Sequence, residues 1–200
     1  VSQDGLFGDA APAPAPLERP EPPAPGHACA LFFALQPEPE DAQRLTAQAD
    51  ALLQGASAYR VAPERLHVSL HGLGEHAHVP ERLVEQALRA GQSLHFPPID
   101  LAFDRLLSFG AGDRRPAVVD NARPNQALRD LHLQLGIALA DAGVPVPQRT
   151  FVPHLSLWWS PVALVPTAVA PTHWTARRLR LIWSHVGRKQ YQRIGDWPLA

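Results

Sequence analysis

The chain has one cysteine, Cys29, among 200 residues, no methionine, and a single lysine, Lys189. One thiol excludes an internal disulfide and a zinc site built on several thiolates. Long apolar runs are also missing, and nothing approaches the roughly 18 residues of a membrane-spanning helix. The N-terminal residues lack the basic-then-apolar order of a secretory leader, so a cytoplasmic protein without membrane association is expected. Charge of one sign is absent too: 18 basic and 19 acidic residues leave a formal net charge of -1. No overall field draws in long polyanions, which points to a small anionic ligand or a nucleic-acid end.

Proline, by contrast, is plentiful at 22 residues and unevenly spread. Alternating Ala and Pro from Ala10 to Pro16, then Pro20, Pro22, Pro23 and Pro25, favour extended chain that cannot build a core. Residues 1–26 are therefore expected to form a disordered tail, and residues 27–200 a single bilobal domain. The 46% hydrophobic content suffices for one sizeable core.

Within that domain, Ala28 to Leu35 reads as a buried strand and Pro39 to Leu53 as a helix, stopped at Gly55. A strand over Arg65 to His71 precedes a helix over Pro80 to Ala90 that Gly91 ends. Strands are expected near Ile99–Leu107 and Ala117–Asp120. Pro124 opens a third helix, whose stripe runs from Leu128 to Ala142 and which Gly143 and Pro145 end. A strand near Thr150 to Trp159 follows, then a Pro-punctuated loop. Thr175 to Val186 and Gln190 to Trp197 close the chain as a hairpin. This order implies an α+β fold of two similar lobes, mostly antiparallel sheet with outer helices and a cleft between them.

Two segments repeat one another: Leu66-His67-Val68-Ser69-Leu70 and Pro153-His154-Leu155-Ser156-Leu157. In a strand, alternate side chains share a face, so each His and Ser point together while Val68, Leu70, Leu155 and Leu157 anchor the other side. Two imidazoles and two hydroxyls lining one cleft can move protons and hold an anion. The pattern His-x-Ser/Thr arises by chance about 0.65 times in a chain of this composition. A third match, His173-Trp174-Thr175, lacks the apolar flanks and is set aside. His71 falls on the same expected strand face as His67 and Ser69. The cluster His67, His71, His76 and His78 suggests a metal, but His76 and His78 lie past Gly74 in an expected loop, so no metal or other cofactor is assigned. From Thr172 to Gly195 there are six basic residues and no acid, and Arg178 and Arg180 share a strand face opposite Leu179, Leu181 and Trp183.

Three stretches resemble the two-histidine (2H) phosphoesterase superfamily, within it the RNA 2′,3′-cyclic phosphodiesterases historically called 2′-5′ RNA ligases. Ala30-Leu31-Phe32-Phe33-Ala34-Leu35 is similar to the opening strand, Ala62 to Glu75 resembles the first signature, and Phe151 to Leu157 the second. The likeness runs from about Cys29 to the closing Tyr191…Trp197-Pro198-Leu199. It implies metal-independent opening of a 2′,3′-cyclic phosphate to a 2′-phosphate, with His67 and His154 as acid and base in an order left open. Ser69 and Ser156 would steady the phosphate oxygens, and the expected partners are RNA ends or cyclic nucleotides bound by a monomer. The chain departs from the family where an Arg usually follows the second motif, here Trp158-Trp159, and where Arg-Phe usually extends the first, here His71-Gly72. His71 is expected to replace part of the missing charge and Trp158 or Trp159 to stack a base, and His71, Trp158 and Tyr191 are the candidate substrate-binding residues. Ligation to a 5′-hydroxyl, hydrolysis of a small cyclic nucleotide, and binding of an RNA end without turnover remain alternatives.

Overall fold

A computed structural model describes residues 16–53, 58–147 and 150–200; Gly55 and tail residues 1–15 lie outside them. Strand β1 (Cys29–Leu35) leads through α1 (Pro39–Leu53) and the two-residue β2 (Tyr59–Arg60) to a single 3-10 turn at Pro63–Arg65. Then come β3 (Val68–His76), α2 (Glu81–Ser93), β4 (Ile99–Ser108), β5 (Arg115–Asp120) and α3 (Gln126–Asp141). The chain ends with β6 (His154–Ser160), β7 (Thr167–Ala176), β8 (Arg178–His185) and β9 (Gln190–Pro198).

The strands form two antiparallel sheets, ordered β3-β1-β8-β9 and β2-β6-β5-β4-β7. The lobes are interleaved in sequence, since the last two strands return to pair with the first. Helix α1 packs on β6 and β7 of the second sheet, whereas α2 packs on β8 and β9 of the first and α3 on α2 and β3. Each helix buries one stripe, such as Ala42, Leu45, Ala49 and Leu53 on α1 and Leu128, Leu131, Leu135 and Leu139 on α3. Asn125 caps α3, its Oδ1 accepting from the Leu128 amide at 3.0 Å. Gly143, at φ 81°, ends that helix in the left-handed region that only glycine enters cheaply.

Three expectations change. Residues 167–176 are strand β7, not loop; Pro166 and Pro171 suggested a loop, but β7 is a sheet edge, where a missing amide is tolerated. Gly91 does not end α2 but lies within it, because a Cβ there would come within 2.5 Å of the Trp197 indole. Residues 16–26 are held against the domain rather than trailing free. The Leu17 amide donates to the Ile194 carbonyl, the Glu21 amide to Gln192 Oε1, and Trp183 Nε1 to the Glu21 carbonyl.

Candidate active site

His67 sits one residue before β3 and His154 opens β6, and these two strands run beside each other where the sheets meet. Both rings are tied back in the same way. His67 Nδ1 donates to the Arg65 carbonyl at 2.7 Å, and His154 Nδ1 to the Val152 carbonyl at 2.8 Å. A carbonyl oxygen only accepts, so Nδ1 carries the proton in each ring and Nε2 is left for a ligand. Ser69 is exposed and Ser156 half-buried, each on the strand face of its histidine.

The two imidazoles have different surroundings. The His67 ring, though half-buried overall, is walled by Phe32 at 5.1 Å and by Tyr191, edge-on at 5.7 Å. That enclosure pushes its pKa down to about 4. The bond to the Arg65 carbonyl opposes the shift, while charge on His154 and on Arg65 adds to it. His154 meets Phe109 edge-on at 4.9 Å. Its cross-strand neighbour Asp120 is buried and gripped through both oxygens by Arg105, each contact 2.8 Å.

The alternation that aligned His67, Ser69 and His71 fails at one residue. Ser69 pairs with Ala34 and His71 with Phe33, so Leu70 is an extra residue, a β-bulge. Leu157 is the matching bulge of β6, between Ser156 opposite Val118 and Trp158 opposite Ala117. Each bulge reverses the faces beyond the serine. His71 therefore turns toward α3, its Nε2 donating to the His132 carbonyl at 2.8 Å and its ring tilted against His132, centroids 4.0 Å apart. Trp158, 4% exposed, joins the core. Both were expected on the ligand side; Trp158 is in the core, whereas His71 still lines the cleft while bonded back to α3. Trp159 takes that face instead, opposite Tyr59. Tyr191 lies against His67.

The chosen candidates also missed Arg65, although it lies inside the first signature. Its guanidinium stands 4.9 Å over the Tyr191 ring, and its buried Nε has no hydrogen-bond partner. From His154 and Ser69 a cleft of about 800 Å³ runs along β3, lined also by Phe32, Gly72 and Phe151. Gly72 leaves its floor open, since nothing lies within 4 Å of where a Cβ would stand. Among the described residues no three His, Cys, Asp or Glu side chains converge as a metal site. His71 and His76 are each bonded to a carbonyl, of His132 and Leu73. Among the same residues no helix is long and apolar enough to cross a membrane.

The sequence model of the 2′-5′ RNA ligase superfamily matches residues 34–188. No curated protein is similar enough in sequence to match. Among solved structures, a phosphoesterase is 22% identical with a TM-score of 0.69, covering 86% of this chain and 98% of its own. E. coli LigT in complex with 3′-AMP is 21% identical with a TM-score of 0.69, over 86% of this chain and 99% of LigT. A protein of Thermus thermophilus is 18% identical with a TM-score of 0.66, over 85% and 97% of the two chains. At these identities the likeness is one of fold: two antiparallel sheets with helices outside.

Proposed function

The chain belongs to the 2′-5′ RNA ligase superfamily, the two-histidine phosphoesterases, and from that premise we propose that it hydrolyses 2′,3′-cyclic phosphate ends to 2′-phosphates. The observation that carries the reading is the matched pair of rings, each with Nδ1 held by a carbonyl and Nε2 free, on adjoining strands with a serine beside each. A fold neighbour, LigT, binds 3′-AMP, a nucleotide phosphorylated on the ribose edge concerned here.

Burial suggests the roles. His67, held neutral near pH 7, takes a proton from water at Nε2 as the water oxygen bonds to phosphorus. His154 gives a proton from Nε2 to the departing 3′-oxygen as the P–O3′ bond breaks. Ser69 and Ser156 donate to the non-bridging oxygens and steady their growing charge. Arg65 supplies the guanidinium that the second motif lacks. Solvent then returns the proton from His67 to His154, restoring the resting state.

Two measurements test this. With chelator present and a 2′,3′-cyclic-phosphate RNA end as substrate, the expected product is the 2′-phosphate. A 2′-5′-joined product from added 5′-hydroxyl RNA would favour ligation, and binding without turnover would end the enzymatic reading. The pH profile tests the roles. The base works only when neutral, so a pKa near 4 keeps kcat/KM from falling on the acid side until about pH 4. Phe32→Ala uncovers the ring, eases its desolvation and should move that limb upward toward the ordinary value of about 6.5. A limb unmoved by this change would take His67 out of the base role.

A further inference from the structure

We propose that Tyr59, Trp159, Arg114 and Lys189 form a second-nucleotide subsite, which makes single-stranded RNA ends preferred over mononucleotides. This deepens the function proposed above and rests on it. The four residues come from four places in the chain: β2, β6, the β4–β5 turn and the β8–β9 turn. Lys189 Nζ stands 4.4 Å over the Tyr59 ring, and the Arg114 guanidinium lies 5.5 Å over Tyr59 and 5.1 Å over Trp159. Lys189 belongs to the hairpin of one sheet and Tyr59 to the other, so this group bridges the two sheets.

Two cations over one ring repel each other. None of the ion pairs among the described residues includes Arg114 or Lys189. Aromatic faces offset such charge only weakly at exposed sites, so an anion would complete the group. The rings define the kind of anion. Tyr59 is 39% exposed and Trp159 half-buried, which leaves flat surface for a base beside cations for a phosphate. An acidic peptide would use the cations and ignore the rings.

The place agrees with this use. Lys189 closes the turn into β9, two residues before Tyr191, which touches His67. Trp159 stands on the same strand as His154, five residues on, so both ends of the group adjoin the histidine strands. Arg65, over Tyr191, continues the row of cation and ring toward His67. The Leu157 bulge is what turns Trp159 into this group and Trp158 away from it.

The test compares, by calorimetry, an RNA trinucleotide and a mononucleotide that both end in a 3′-phosphate. The trinucleotide should bind about 10-fold more tightly, within the range of stacking one base. Trp159→Ala should remove most of that advantage and Trp159→Phe restore much of it. Arg114→Ala/Lys189→Ala should make the slope of log affinity against log salt shallower by about 1.4, at about 0.7 per phosphate on a single strand. Equal affinities in the unaltered protein, or an advantage that survives both sets of changes, overturn the subsite. An advantage lost in the double variant but kept in Trp159→Ala points to a purely electrostatic partner and overturns it too. If the trinucleotide binds as expected but its 2′,3′-cyclic form is never hydrolysed, the subsite stands and the proposed reaction fails.

Discussion

His154→Ala and His67→Ala are each expected to lower kcat on a 2′,3′-cyclic phosphate by about 10² to 10⁴, the usual contribution of one positioned proton-transfer group. The double variant should be little worse than the poorer single one. Both rings act in one transition state, and once either proton transfer is lost the other has less left to assist. Stability should change little with His154→Ala, because that side chain is only half-buried and its recorded bond is to a carbonyl that water can satisfy. His67 packs on Phe32 and Tyr191, so His67→Gln is the better companion, keeping bulk without a titrating ring. Thermal unfolding of each variant checks that the fold persists. Turnover close to that of the unaltered protein in either one would remove the pair from the chemistry.

The largest effect on stability is expected from Trp183→Ala. Trp183 is fully buried on β8, an interior strand between β1 and β9. Its ring stacks on His76 at 6.2 Å, and its Nε1 donates to the Glu21 carbonyl at 2.8 Å. Emptying such a site costs about 3–5 kcal/mol, a large part of a typical total of about 5–15 kcal/mol. For a chain this long, the unfolding midpoint should fall by about 6–20 °C. Trp183→Phe keeps most of the volume and loses the hydrogen bond, so it should cost about 1 kcal/mol from that bond, plus a smaller packing loss. In both variants residues 16–26 lose an anchor, and cleavage near Glu21 in limited proteolysis should quicken. A change within about 1 kcal/mol for Trp183→Ala would contradict this view of the core.

Much of the fold was legible because local patterns and tertiary demands agree. The stripes of α1 and α3, the core strand β1 and the closing hairpin carry apolar residues at the spacing their burial requires. Signals broke down where one residue type serves two ends. Gly91 looks like a stop and is a point of close packing against Trp197; Pro171 looks like a loop and lies in an edge strand. The candidate site divides along the same line. Leu66 to Ser69 and Pro153 to Ser156 obey simple alternation, so the pairing of each His with its Ser followed from the order of residues. Beyond Leu70 and Leu157 alternation fails, which turns His71 back onto α3 and sends Trp158 into the core.

The amino-acid sequence by itself determined which residues are candidates for the chemistry and which secondary elements carry them, because a two-residue strand period and a helical stripe are local properties. Tertiary structure alone decided which ring is enclosed, which tryptophan enters the core, and that Tyr59 and Lys189 meet across the lobes. Those outcomes depend on desolvation by Phe32 and Tyr191, on the register of β3 against β1 and β6 against β5, and on the return of β8 and β9 to the first sheet. All are contacts between residues far apart along the chain, and no local pattern encodes them.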